Sequence, residues 1–142
     1  YQIADDNYKF KLAISLNASN ENTRKGIMPI TKKYSLSDII VASKYYYKKT
    51  KKIITFEYVL LKDVNDSIND AKKLINLLNN FPCKLNVIPY NEIGGDYNRP
   101  TDECIEAFLS CFKSVQFIVT VRWSNGTDIN AGCGQLAVKD LV

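Results

Sequence analysis

Of the four cysteines in this chain, Cys133 is set apart by its surroundings. It stands in DINAGCGQL (residues 128–136), between Gly132 and Gly134, where a polar loop gives way to an apolar segment. The glycines clear side chains from the approach of a large substrate and permit unusual backbone angles. The residues after Gly132 look like the start of a helix, whose free N–H groups would face the sulfur. That placement lowers a thiol pKa and favours the nucleophilic thiolate. The plain structural alternative is a buried free cysteine at a tight strand–helix junction. Cys83 opens an apolar run, and Cys104 and Cys111 lie seven apart on a helical pattern, so these three read as packing residues. With no CxxC pair and no histidine, the scattered thiols do not suggest a metal site, so we expect no metal ligands here. The missing histidine also removes the usual base of a simple thiol-nucleophile enzyme.

Ser15, Asn17 and Asn91 close apolar runs with uncharged hydrogen-bonding groups, suited to a ligand bearing ribose hydroxyls and an amino-acid end. Turn and capping duties are the ordinary alternative. Lysines 44, 48, 49, 51 and 52 cluster beside Tyr45, Tyr46 and Tyr47, either as a solvated helix end or as a phosphate-contacting patch.

Alternating elements would position these groups. Strands are expected at about 9–16, 52–61, 83–91 and 115–123, from β-branched and aromatic runs. Between them, SLSDIIVASKYYYKK places Leu36, Ile39, Ile40, Ser43, Tyr46 and Tyr47 on one helical face, with Ser35 or Ser37 as cap. NDSINDAKKLINLLNN gives a stripe of Ile68, Ala71, Ile75 and Leu78 that Pro82 stops, capped from within Asn65–Ser67. TDECIEAFLSCFKS gives Ile105, Phe108, Leu109 and Phe112 behind a Thr101 cap. The order β-α-β-α-β-α-β-α, with continuously apolar strands, predicts an α/β fold with a parallel sheet covered by helices. Pattern alone leaves open a doubly wound sheet or part of a β/α barrel. In either, ligands bind at the carboxyl ends of the strands, where Ser15, Asn17, Asn91 and the Cys133 loop fall.

The 142 residues, 46% hydrophobic and 24% charged, suit a single domain, 1–142. The net charge of +4 permits a polyanionic partner without requiring one. No apolar run approaches the ~20 residues that span a bilayer, and no export leader is evident, so we expect a cytoplasmic protein with no membrane contact. The matches to Asn-x-Ser/Thr at Asn17, Asn65 and Asn125 are then chance sequons. The only methionine is Met28, so Tyr1 is not a natural start and the chain reads as a fragment.

Taken in order, LAISLNAS, Arg24 with IMPITKKYS, ITFEYVLLKDVNDS, PCKLNVIPYN, DYNRP and NGTDINAGCGQL resemble the radical S-adenosylmethionine (SAM) adenine methyltransferases of the RlmN/Cfr family. The resemblance covers essentially the whole chain, as the C-terminal portion of the radical SAM core. It implies a partial (β/α)6 TIM-like barrel, SAM, and a 4Fe–4S cluster whose ligands lie outside this chain. It further implies methylation of adenine carbon 2 in 23S rRNA, and in tRNA, through an S-methylcysteine intermediate, with an electron donor for the cluster. By motif, Cys133 is the methyl-carrying cysteine, and Ser15, Leu16, Asn17 and Asn91 fall on SAM-contacting positions. The sequence departs from the family where SLHA reads SLNA, where Asn125 replaces a frequent arginine and where Gly132 replaces a frequent alanine. The CxxxCxxC cluster motif, the resolving cysteine and the N-terminal RNA-binding domain of the family are absent from these residues. The chain is therefore expected to be inactive alone, and a monomer is expected. The carbon-8 branch of the family and a non-catalytic RNA-binding β/α module are the alternatives.

Overall fold

Side-chain caps start the three longest helices. Ser35 and Ser67 each accept the N–H three residues on, from Asp38 and Asp70, whose carboxylates return a bond to the cap; Thr101 accepts from Cys104. Each cap meets orphan N–H groups that a helix start leaves unbonded. The computed structural model describes residues 1–8, 10–92 and 94–123. In chain order these form α1 (Gln2–Asp5), β1 (Ala13–Ser15), α2 (Glu21–Ile27), a 3-10 turn (Pro29–Lys32), α3 (Leu36–Thr50), β2 (Ile54–Leu60), α4 (Ile68–Leu78), β3 (Cys83–Pro89), α5 (Asp102–Ser110) and β4 (Ile118–Val121).

The strands form one parallel sheet in the order β1-β2-β3-β4. A doubly wound sheet reverses strand order at a switch point, which this sheet lacks over its described strands. Sequential order with helices between successive strands is the winding of a barrel wall. The structure therefore decides between the two architectures that the pattern left open.

Only one face of the sheet is deeply covered. Phe56, Tyr58, Leu60, Leu85 and Val87 are buried together with Leu36 and Ile40 of α3, Leu74 and Leu78 of α4, and Ile105 and Phe108 of α5. Along β2 and β3 every second residue is buried and its neighbours only half-buried. The expected parallel sheet covered by helices is thus observed, with its deep packing on one face. The other face carries the register row Ser15, Glu57, Asn86 and Thr120, in which the Thr120 hydroxyl donates to Asn86 Oδ1 at 3.0 Å.

Other departures are local. Ile68 is exposed at the start of α4, whose buried stripe is Ala71, Leu74 and Leu78. β1 and β4 are shorter than expected, and α1, α2 and the 3-10 turn were not expected at all.

Candidate functional site at the carboxyl ends of the strands

Asn91 follows β3 by two residues and is only 9% exposed, yet its Oδ1 is buried with no hydrogen-bond partner among the described residues. Leaving a buried amide oxygen unsatisfied costs about 1–3 kcal/mol, so such an atom needs an explanation. It borders a cavity of about 280 Å³ at the carboxyl ends of β2 and β3. Glu57, Val59, Ile88, Tyr90 and Arg122 complete the lining with Pro89. Tyr90 is held edge-on to Tyr97, with ring centroids 6.4 Å apart. The cavity thus offers an amide acceptor, a carboxylate, a guanidinium and an aromatic ring within apolar walls. That set suits a polar ligand with N–H donors.

Ser15 is the register partner of Glu57 and is exposed on the same face. Beyond it the backbone turns away: Asn17 has φ 56°. Its side chain continues the ladder, Oδ1 accepting from the Val59 N–H at 2.9 Å. Among the described residues, Asn17 Nδ2 has only the weak sulfur acceptor of Met28, at 3.6 Å. Leu16 is fully buried; its N–H donates to the Glu57 carbonyl at 2.8 Å and its carbonyl accepts from Arg24 Nε at 3.0 Å.

Two further residues, not singled out in the sequence as part of a site, fix this loop. Arg24 is 2% exposed and donates to the carbonyls of Leu16 and Ser15 and to the Thr31 hydroxyl. Burial lowers its pKa from the ordinary value, and nearby Glu21 counters this. Asn65 is fully buried: Oδ1 accepts from the Leu61 N–H at 2.7 Å, and Nδ2 donates to the carbonyls of Asn17 and Val59 at 2.9 and 2.7 Å. Its own carbonyl accepts from the Tyr58 hydroxyl at 2.7 Å. Asn65 had read as a cap candidate, but Ser67 is the cap.

Arg99, from DYNRP, lies over the Trp123 ring at 5.9 Å and pairs with Asp102 at 3.8 Å. The Lys62 N–H donates to the Asn98 carbonyl at 2.9 Å, tying this loop to the end of β2.

Cys133 and the helix expected after Gly132 lie outside the described residues. Cys83 is buried, its Sγ facing the Leu78 carbonyl, and burial pushes its thiol up to about 11. Cys104 was expected in apolar surroundings. It is instead half-buried with Sγ 3.2 Å from Asp66 Oδ2, and burial together with that carboxylate raises its pKa to about 11. Cys111 is the C-cap of α5.

The fold agrees with what the chain is similar to. A radical SAM methyltransferase from Sphaerobacter thermophilus superposes with a TM-score of 0.87 at 37% identity, over 94% of this chain and 40% of that one. A domain of pyruvate-formate lyase-activating enzyme from Bacteroides vulgatus shares the fold alone, with a TM-score of 0.62 at 15% identity. The sheet is therefore part of a radical SAM barrel. Among curated proteins, the "Probable dual-specificity RNA methyltransferase RlmN" of Clostridium botulinum is 48% identical over 137 residues, 96% of this chain. The protein of the same name from Flavobacterium psychrophilum is 42% identical over 141 residues. The chain belongs to the RlmN/Cfr family of radical SAM methyltransferases, and it spans about 40% of the length of these relatives. No family model matches it.

Proposed function

We propose that this chain is the part of a radical SAM RNA methyltransferase that holds SAM and carries the methyl group on its way to an adenine. The target is carbon 2 of an adenine in 23S rRNA, and in tRNA. The observation that carries the reading is the orphaned Asn91 Oδ1, buried at the edge of a cavity of about 280 Å³ on the carboxyl side of a barrel wall.

The residues present fit SAM by their donors and acceptors. Asn91 Oδ1 would accept from an amino group of the ligand. Asn17 Nδ2 can exchange its weak sulfur acceptor for an oxygen, whereas Asn17 Oδ1 and its carbonyl are already held by Val59 and Asn65. The Ser15 hydroxyl stands open on the same face. Leu16 contributes through its backbone, whose bonds to Glu57 and Arg24 set the course of the loop. When bound, SAM would supply the methyl group and, with the 4Fe–4S cluster, the radical. Among the described residues no group of three or more His, Cys, Asp or Glu could hold a metal ion, and the proposal places the cluster ligands in sequence outside this chain. The Cys133 thiolate would take the methyl group, and its glycine neighbours would let both SAM and a nucleotide approach. An electron donor and a monomeric state go with this reading.

The test is nucleoside mass spectrometry of RNA from cells that contain the full-length protein as their only adenine methyltransferase of this family. The proposal expects 2-methyladenosine in 23S rRNA and tRNA. Detection of 8-methyladenosine alone would move the chain to the carbon-8 branch, and absence of both would leave an RNA-binding module.

A further inference from the structure

A second cavity is larger than the one beside Asn91. It lies at the opposite, amino-terminal rim of the sheet, has a volume of about 650 Å³, and is lined by Phe10, Lys11, Lys51, Lys52 and Lys84 with neighbouring apolar residues and Thr55. Lys11 precedes β1, Lys51 and Lys52 precede β2, and Lys84 is the second residue of β3, so three separate segments bring these lysines to one basin. No Asp or Glu is among the described lining residues. Neither ion pair of the described residues, Lys49–Asp5 or Arg99–Asp102, involves these lysines. Lys51 holds its place through a left-handed backbone, φ 60°, with its ammonium over Tyr47, and Lys52 donates to the Tyr8 carbonyl at 2.8 Å. At the mouth, Tyr8 and Phe10 are half exposed and stacked on each other, centroids 5.4 Å apart and planes at 22°.

A concave cationic basin with no carboxylate among its described lining residues, edged by exposed aromatic rings, has the two components that bind single-stranded nucleic acid: charge for the phosphates and a platform for the bases. We propose that the amino-terminal rim is a second RNA-contacting surface, taking an unpaired stretch of the substrate's backbone in the Lys11, Lys51, Lys52 and Lys84 basin with a base against Phe10. The proposal rests on the reading that the substrate is RNA. It adds a contact remote from the reacting base, on the far end of the strands from Asn91. The lysines give affinity without sequence preference, because phosphates look alike along a strand.

The experiment measures binding of a fluorescein-labelled oligouridine of about 12 nucleotides, within the usual site size of such grooves, to the full-length protein by fluorescence anisotropy across a salt series. The triple variant Lys51→Gln, Lys52→Gln, Lys84→Gln should lower the slope of log K against log salt by about two, from roughly 0.7 per phosphate contact on a single strand. Phe10→Ala should weaken binding about tenfold with the slope unchanged. The triple Lys→Arg variant should bind as the parent does, and thermal melting should confirm that all variants fold. Unchanged slope and affinity in the triple Gln variant would overturn the proposal while leaving RNA methylation intact as a reading. Full displacement by tripolyphosphate, with Phe10→Ala binding as the parent does, would reduce the basin to an anion site and also overturn it. Failure of the parent to bind would do the same, and the nucleoside assay would then decide separately whether RNA is the substrate.

Discussion

Asn65 Nδ2 lies 2.9 Å from the carbonyl of Asn17, a residue 48 positions earlier in the chain. The same nitrogen reaches the Val59 carbonyl, and Asn17 Oδ1 in turn takes the Val59 N–H. The ends of β1 and β2 are therefore held in fixed relation by two asparagine side chains, just where the barrel wall presents Ser15 and Asn17. Replacing Asn65 by Ala strips partners from Leu61, Val59 and Asn17 at a buried site. We predict a loss of about 3 kcal/mol, summed from orphaned groups at about 1–3 kcal/mol each, read from urea midpoints. Asn65→Asp keeps the acceptor for the Leu61 N–H but sets a buried carboxylate oxygen against the carbonyls of Asn17 and Val59, and should cost at least as much.

Arg24 acts on the other side of the same loop. Its guanidinium meets two carbonyls and a hydroxyl in one planar arrangement that a lysine ammonium cannot reproduce. Arg24→Lys should therefore lose about 2 kcal/mol or more of stability. It should also weaken SAM binding, in titration calorimetry of the full-length protein, although Arg24 itself is buried beneath the loop. Unchanged stability and SAM affinity in that variant would remove the clamp from the account.

Asn91 separates ligand binding from folding. Because its Oδ1 has no partner among the described residues, Asn91→Ala should cost less than about 1 kcal/mol of stability. It should nonetheless weaken SAM binding about tenfold or more, the worth of one buried polar contact. A large stability loss with unchanged SAM affinity would make Asn91 a packing residue.

Thiol reactivity should follow pH in a defined order. Cys83 and Cys104 both stay protonated in the fold until pH nears about 11, against 9.0 for an unshifted thiol. A raised pKa stabilises the folded state fully below the unfolded value, and that contribution is lost as pH rises through the folded value. Alkylation near neutral pH should thus spare both, with Cys133 labelled first in full-length protein prepared without a methyl group on that residue. Asp66→Asn should bring the Cys104 pKa partway down, since burial, its larger cause, remains.

The elements that were legible in the sequence are those with a local cause. Helices α3, α4 and α5 follow from stripes such as Ile105, Phe108 and Phe112 and from caps three residues ahead of their partners. The parallel sheet followed from alternation of elements. Strand order was not legible, because it depends on where each helix crosses, and neither was the bare inner face: Thr55, Glu57 and Val59 alternate too weakly with Phe56 and Tyr58 to declare it. Helix α1 is four residues long and is held by tertiary contact, Tyr45 donating to Asp5 at 2.6 Å and stacking edge-on with Tyr1. Asn65 and Arg24 were invisible as site builders for the same reason. Their partners are set by the fold, and a turn-like asparagine or a lone arginine carries no periodic signal. The positions of Ser15 and Asn91 at strand ends were readable, since each closes an apolar run.

The central claim, that Cys133 carries the methyl group, is tested most directly by peptide mass spectrometry of the full-length protein purified from cells. The account predicts a Cys133 peptide heavier by one CH2 group, with Cys83, Cys104 and Cys111 unmodified. It also predicts that Cys133→Ala abolishes RNA methylation with a stability loss below about 2 kcal/mol, the lower end of the cost of emptying a packed core site. An unmodified Cys133 together with RNA methylation that survives Cys133→Ala would contradict it.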